Sequence, residues 1–215
     1  MSGYIDQKSS SRGEIRVLKI RRGVSWPSID GYKRYNVCKQ TRVGRQLSPM
    51  KLGPVYDESG ELYARTIEDA WQCSKVWERQ LGGGDDGHGR WHEWSRRGRF
   101  SGESRRHRGR GKPLYSYYMG EKLGYVAARK RMYAPWYARC VKQTDAYRQL
   151  KSEHLAGQNL LLVEYDGLDP SALADNRPLD GDMLRRLIDD ENHVFGHGLV
   201  LATCLLDKEQ EVWGV

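Results

Sequence analysis

From His88 to Lys112 the chain reads HGRWHEWSRRGRFSGESRRHRGRGK, a stretch that offers little to a hydrophobic core. It carries nine Lys or Arg against two Glu, and eight of the nine are Arg. No helical or strand period is visible in it, so it reads as a long Arg/Gly-rich insertion loop at about 83–113. The flanking segments must then build the core. A chain of 215 residues is long enough to do so as one domain, without metals or disulfides. Its four cysteines sit singly at Cys38, Cys73, Cys140 and Cys204, with no zinc-knuckle or redox spacing, and read as reduced thiols. The longest apolar run, Leu199 to Leu206 broken by Thr203, is far short of the roughly 20 residues of a membrane span. Residues 1–13 are polar, read as a flexible N-terminus, and lack the apolar core of a signal peptide. The expectation is a cytoplasmic protein with no membrane partner.

Around the insertion the pattern is mainly α, multihelical, with a few short strands. Ile15 and Val17 alternate in a short strand over Glu14 to Ile20. Lys51 to Tyr56 and Glu61 to Arg65 flank Asp57-Glu58-Ser59-Gly60, a turn that predicts a β-hairpin. The clearest helix starts after Thr66, an N-cap with Asp69 three residues on in a variant capping box. Its stripe runs Ile67, Ala70, Trp71, Ser74, Trp77 and Leu81, and Gly82-Gly83-Gly84 ends it. Leu114 to Tyr118 reads as extended. A helical region follows from about Glu121, interrupted at Pro135 and closed near Gly157. Leu160 to Tyr165 is a buried strand, Gly181 to Asp190 a short helix, and Phe195 to Leu206 an apolar helix.

Charge is unevenly spread. Residues 1–150 hold 31 Lys/Arg and 15 Asp/Glu, while residues 151–215 hold 5 and 13. Such asymmetry suits a polyanion, most often nucleic acid, against the plainer reading of a solvated basic loop. Arg suits bidentate phosphate contacts and stacking on bases. Trp91, Trp94 and Phe100 are interleaved with it, and a stacked base is worth about 1–3 kcal/mol. The expected contacts are Arg90, Trp91, Trp94, Arg96, Arg97, Arg99, Arg105, Arg106, Arg108 and Arg110.

On the helix after Thr66 each residue turns the side chain by about 100°. Glu68, Gln72 and Lys75 therefore share one flank of the apolar stripe. A carboxylate, an amide and an ammonium at the edge of a core suit general acid–base work, though any amphipathic helix carries polar residues there. His193 and His197 are four apart, as two metal ligands on one helix would be. No third ligand is identifiable, so no metal and no cofactor is expected.

The segment TIEDAWQCSK, Thr66 to Lys75, resembles the signature helix of the NADAR family: T-x-E, an aromatic, then Gln four and Lys seven residues after the Glu. Those proteins are mainly helical N-glycosidases associated with NAD- and ADP-ribose-type substrates. Asn36 with Leu47-Ser48-Pro49, Leu150 to Glu164 with its Leu-Val-Glu ending, and Asn192 to Leu206 resemble further passages of the family in the same order. The resemblance covers about residues 32–80 and 117–206. It implies that Glu68 activates water or stabilises an oxocarbenium-like state, with Asp166 as second carboxylate. It implies that Asn36 and Gln72 bond ribose hydroxyls or base edges and that Trp71 stacks on the base. Lys75 or an insertion Arg would hold a phosphate. The expected function is hydrolysis of an N-glycosidic bond in an ADP-ribosyl-type or modified nucleotide substrate, in a form borne on nucleic acid. The alternative is a non-catalytic nucleic-acid-binding protein that uses the Arg/Gly/Trp-rich segment.

Overall fold

The computed structural model describes residues 12–21, 23–38, 40–101, 112–171 and 177–214. Strands β1 (Ile15–Lys19) and β2 (Tyr32–Asn36) lead into the short helix α1 (Arg42–Leu47). Strands β3 (Val55–Tyr56) and β4 (Leu62–Ala64) form the expected antiparallel hairpin. Asp57 Oδ1 closes its turn by accepting from Ser59 N, Ser59 Oγ and Glu61 N. Helix α2 (Ile67–Ser74) starts where Thr66 predicts: the Thr66 hydroxyl accepts from Asp69 N at 3.1 Å and donates to Asp69 Oδ2 at 2.9 Å. Strand β5 (Lys75–Val76), a 3₁₀ turn (Glu78–Gln80) and helix α3 (Gly89–Phe100) follow. Strands β6 (Tyr115–Tyr118) and β7 (Glu121–Leu123) form a second hairpin across Met119 and Gly120, both at positive φ, and β6 also pairs with β5. Helix α4 (Tyr125–Ala128), a π-helical turn (Arg129–Tyr133) and α5 (Ala134–Val141) run on without a break. Helix α6 (Asp145–Leu155), strand β8 (Asn159–Glu164) and helices α7 (Gly181–Asp189), α8 (His197–Leu205) and α9 (Glu209–Val212) complete the order.

The centre is a three-stranded sheet ordered β1–β8–β2, with β8 parallel to both neighbours. Every residue of β8 from Leu160 to Glu164 is buried, which is why this strand reads as a continuous apolar run rather than an alternation. Helix α8 is buried from Gly198 through Leu205, hence its apolar sequence on all sides. Parallel strands place their carboxyl ends at one edge of the sheet, where α/β proteins collect their ligand sites. Here that edge carries Asn36 at the end of β2 and Glu164 at the end of β8.

Three expectations are corrected. The fold is mixed α/β rather than mainly α: helix makes up 42% and strand 17% of the described residues, and the central sheet is parallel. Helix α2 stops at Ser74 instead of reaching Leu81, because Lys75 and Val76 pair with Ser116 and Tyr115 of β6. Ser74 Oγ also bonds Trp71 O at 2.9 Å, a local alternative to the helical ladder. The third correction concerns 83–113, read as a loop but helical over Gly89–Phe100.

Helix α3 exists because it completes α2. The last carbonyls of a helix lack partners inside it. Ser95 Oγ donates to Cys73 O at 2.8 Å, and Trp91 Nε1 donates to Lys75 O at 3.0 Å. Gly98 lets the two helices close: a Cβ there would lie 2.4 Å from Cys73 Sγ. Trp91, Ser95 and Gly98 fall at i, i+4 and i+7 and are the buried face of α3. Only one of the three is hydrophobic, so no apolar period marks the helix. Pro135, which has no N–H, follows the π-helical turn that carries Arg129 and Tyr133 inward, both buried.

Candidate active site

Glu68 sits in the first turn of α2 and is 7% exposed. Its Oε1 accepts from Gln72 Nε2 at 3.0 Å, and Gln72 Oε1 accepts from Lys75 Nζ at 3.0 Å. The ammonium can only donate, so it fixes which end of the Gln72 amide faces Glu68. Glu68 Oε2 accepts no hydrogen bond from the described residues. The three residues expected on one flank are thus a relay, Lys75 to Gln72 to Glu68. Lys75 Nζ also lies 4.8 Å from the centre of the Trp71 ring. In this geometry the ammonium orients Gln72. Trp71 is half-buried, with Tyr133 at 5.1 Å and Tyr125 at 6.2 Å between ring centres, so Glu68 lies beside an aromatic group.

A second carboxylate comes from the sheet. Glu164 is fully buried, and its Oε1 accepts from Gly198 N at 2.9 Å in the first turn of α8. A helix N-terminus favours negative charge at that place. His197 Nδ1 lies 2.8 Å from Glu164 Oε2, and His197 Nε2 is 3.0 Å from Val37 O. Gly196 and Gly198 make room for this carboxylate: a Cβ on either would come within 2.8 Å of Glu164 Oε1. Burial pushes the His197 imidazole down, but the Glu164 carboxylate outweighs it and the net shift is upward. Tyr133 links the two halves. Its phenol is raised well above the ordinary value by burial and then by the charges of Glu68, Glu164 and Asp166. Three carboxylates therefore act on one tyrosine.

Of the residues singled out from sequence, Asn36 lies at this sheet end, buried, with Oδ1 accepting from Cys38 N at 2.8 Å. Its Nδ2 is buried and has no hydrogen-bond partner among the described residues. Cys38, two residues on, feels the charges of Glu164 and Asp166, which places β2's end at the same cluster. Asp166 is exposed, just past Glu164, with its Cβ close against Gly196. On α3, Trp91 is buried in the contact with α2 and is a packing residue, not an exposed stacking platform. Trp94 is half-buried, Arg90 and Arg96 are exposed, and Arg97 is exposed but paired with Glu93. Arg99 lies over the Tyr63 ring at 4.4 Å. Arg105, Arg106, Arg108 and Arg110 lie outside the described residues, as do residues 1–11.

Glu164 and Tyr133 were not singled out beforehand, and His197 was singled out only with His193 as a metal-ligand pair, not as the partner of a carboxylate. A signal for the first was present: an acid that ends an apolar strand run must either be solvated or be held by designed partners, and Gly196-His197-Gly198 supplies them. Tyr133 had none, because its orientation depends on the π-helical turn. Among the described residues no helix is long and apolar enough to cross a membrane, and none of the four cysteines forms a disulfide. No family model, curated protein or solved structure matches the chain.

Proposed function

We propose that this chain is a NADAR-like N-glycosidase that hydrolyses the bond between a ribose carbon and a base nitrogen in an ADP-ribosyl-type or modified nucleotide, borne on nucleic acid. The observation that carries the reading is Glu68: a nearly buried carboxylate beside Trp71 and Tyr133, with one oxygen fixed by Gln72 and the other without a partner among the described residues. Glycosidic cleavage builds positive charge on the anomeric carbon, and a carboxylate at that carbon stabilises it or takes the proton of the attacking water. The C–N bond breaks with its electron pair moving to the base, water adds to the carbon, and the proton passes to the leaving base. Trp71, half-buried, offers a ring face to the base or to the developing cation, with the buried Tyr133 packed against it. Asn36 Nδ2 is a buried donor in need of an acceptor, which a ribose hydroxyl or phosphate oxygen supplies. Glu164 and Asp166 add negative charge that acts on Tyr133, and Glu164 takes over the second-carboxylate place that sequence reading gave to Asp166.

A second reading, nucleic-acid binding without catalysis, is favoured by the exposed Arg90 and Arg96 on α3. One assay separates the two. The protein is incubated with NAD, ADP-ribose, ADP-ribosylated DNA and modified nucleosides, and base release is followed chromatographically for the native chain and Glu68→Gln. Release by the native chain alone supports the glycosidase. No release from any substrate, or equal release by the variant, rejects it.

A further inference from the structure

Helix α3 borders a cleft of about 180 Å³ that is separate from the Glu68 cluster. Its walls come from three elements: Tyr63 on β4, Trp91, His92 and Arg99 on α3, and Tyr117 with Tyr118 on β6. The rings are set at steep angles to one another: Tyr117 meets Trp91 at 78° with centres 5.2 Å apart, and Tyr118 meets Tyr63 at 85° and 5.4 Å. Tyr117 is further fixed by its hydroxyl, which donates to Asp86 Oδ2 at 3.1 Å, and by stacking on His88 at 4.3 Å. The pocket is therefore a rigid aromatic box, not a gap between mobile side chains.

The charged group in this box is Arg99. One face of its guanidinium lies over Tyr63. Among the described residues its buried Nε has no hydrogen-bond partner and no carboxylate pairs with it. Asp57, at the rim, has Oδ1 engaged by its own turn. A guanidinium in an aromatic wall with no carboxylate partner among the described residues is costly unless an anion or a ring completes it. The rest of α3 extends the pattern. His92, Arg96 and Arg99 fall at i, i+4 and i+7 and form one stripe along α3, of which His92 and Arg99 line the cleft and Arg96 lies exposed between them. Arg97, by contrast, is neutralised by Glu93 on another side of the helix.

We propose that this cleft seats one unpaired base of a nucleic-acid strand, stacked on the outer face of the Arg99 guanidinium, with the adjoining phosphate held by Arg96. Arg planes and aromatic rings are the usual platforms for splayed-out bases. The cleft accepts a single planar ring, and a base inside a duplex cannot enter it. The proposal rests on the reading that the substrate is borne on nucleic acid, and it assigns the strand to a second site next to the catalytic helix. The link is physical, since α3 closes on the end of α2 through Trp91, Ser95 and Gly98.

The test measures binding of three labelled probes by fluorescence anisotropy: a short single-stranded DNA, the same strand with its bases removed, and the duplex. The proteins are the native chain, Arg99→Met, Arg96→Gln and a charge-matched control, Arg186→Gln on α7. Arg99→Met keeps the stem against Tyr63, and the surface change Arg96→Gln covers the case in which Arg99→Met fails to fold. The expected result is that the intact strand binds about tenfold more tightly than the base-free strand or the duplex. Arg99→Met should remove most of that preference, and Arg96→Gln should weaken both single strands alike by a few-fold, with Arg186→Gln unchanged. If strands bind well but base removal, Arg99→Met and Arg96→Gln make no more difference than the control, the cleft is not the seat and the nucleic-acid reading survives. If no probe binds the native chain, both fall.

Discussion

Gly98 joins the basic helix to the helix that carries Glu68, and its substitution tests how tightly the two are coupled. A methyl added at Gly98 would lie 2.4 Å from Cys73 Sγ but 3.8 Å from Cys73 Cβ. The first distance is a clash and the second an ordinary contact. G98A alone gains about 1 kcal/mol of helix propensity. It loses about 1–3 kcal/mol to overpacking against a buried sulfur, so the net change is a loss of about 1 kcal/mol. C73A alone empties the space of one buried sulfur and costs about 1 kcal/mol. In the double variant the new methyl occupies the place of the lost sulfur, the clash and the void cancel, and the propensity gain remains. Stability should then return to that of the native chain or exceed it, with a coupling of about 2–3 kcal/mol between the two positions. Urea unfolding followed by tryptophan fluorescence gives all four values. Additivity within about 0.5 kcal/mol would refute the reasoning, because residues that do not touch combine that way.

Two further outcomes follow from the buried charges. Arg129 is 1% exposed and donates to the carbonyls of Ile188, His193 and Asp190 at 2.6, 2.8 and 2.6 Å, closing the end of α7. Arg129→Met leaves these acceptors unmatched and should cost at least about 3 kcal/mol in chemical denaturation; a loss under about 1 kcal/mol would show that α7 is closed by other means. The raised pKa of His197, set by Glu164 against the opposing effect of burial, makes stability depend on pH. The pair's contribution is complete below the ordinary imidazole pKa and is lost as pH rises through the raised one. Unfolding midpoints should therefore fall across that window in the native chain and lose this dependence in Glu164→Gln. An unchanged pH profile in the variant would remove the pair from the account.

What could be read in advance follows from how each element is stabilised. Helix α2 announced itself through Thr66 and the stripe of Ile67 and Ala70, and β8 through its unbroken Leu160–Val163 run, because local capping and burial on all sides leave direct marks in the sequence. Strand β2, YKRYN, left none: Lys33 and Arg34 are exposed, so the strand shows neither alternation nor an apolar run, and with it the parallel sheet was invisible. Helix α3 is held by a hydroxyl, an indole N–H and a glycine, none of which contributes an apolar period. The Glu68–Gln72–Lys75 row was legible because it lies within one helix. The Glu164–His197 pair joins residues from separate elements, and only the fold brings them together.

The central claim is that Glu68 performs the chemistry and that its neighbours position it. The most direct measurement is the single-turnover rate of base release from the preferred nucleotide substrate by the native chain and by Glu68→Gln, which keeps the shape and the hydrogen bond to Gln72 but removes the charge. Loss of the Glu68 charge should slow base release by at least about 100-fold with the unfolding midpoint unchanged. A variant that is equally stable and releases base at the native rate would contradict the claim.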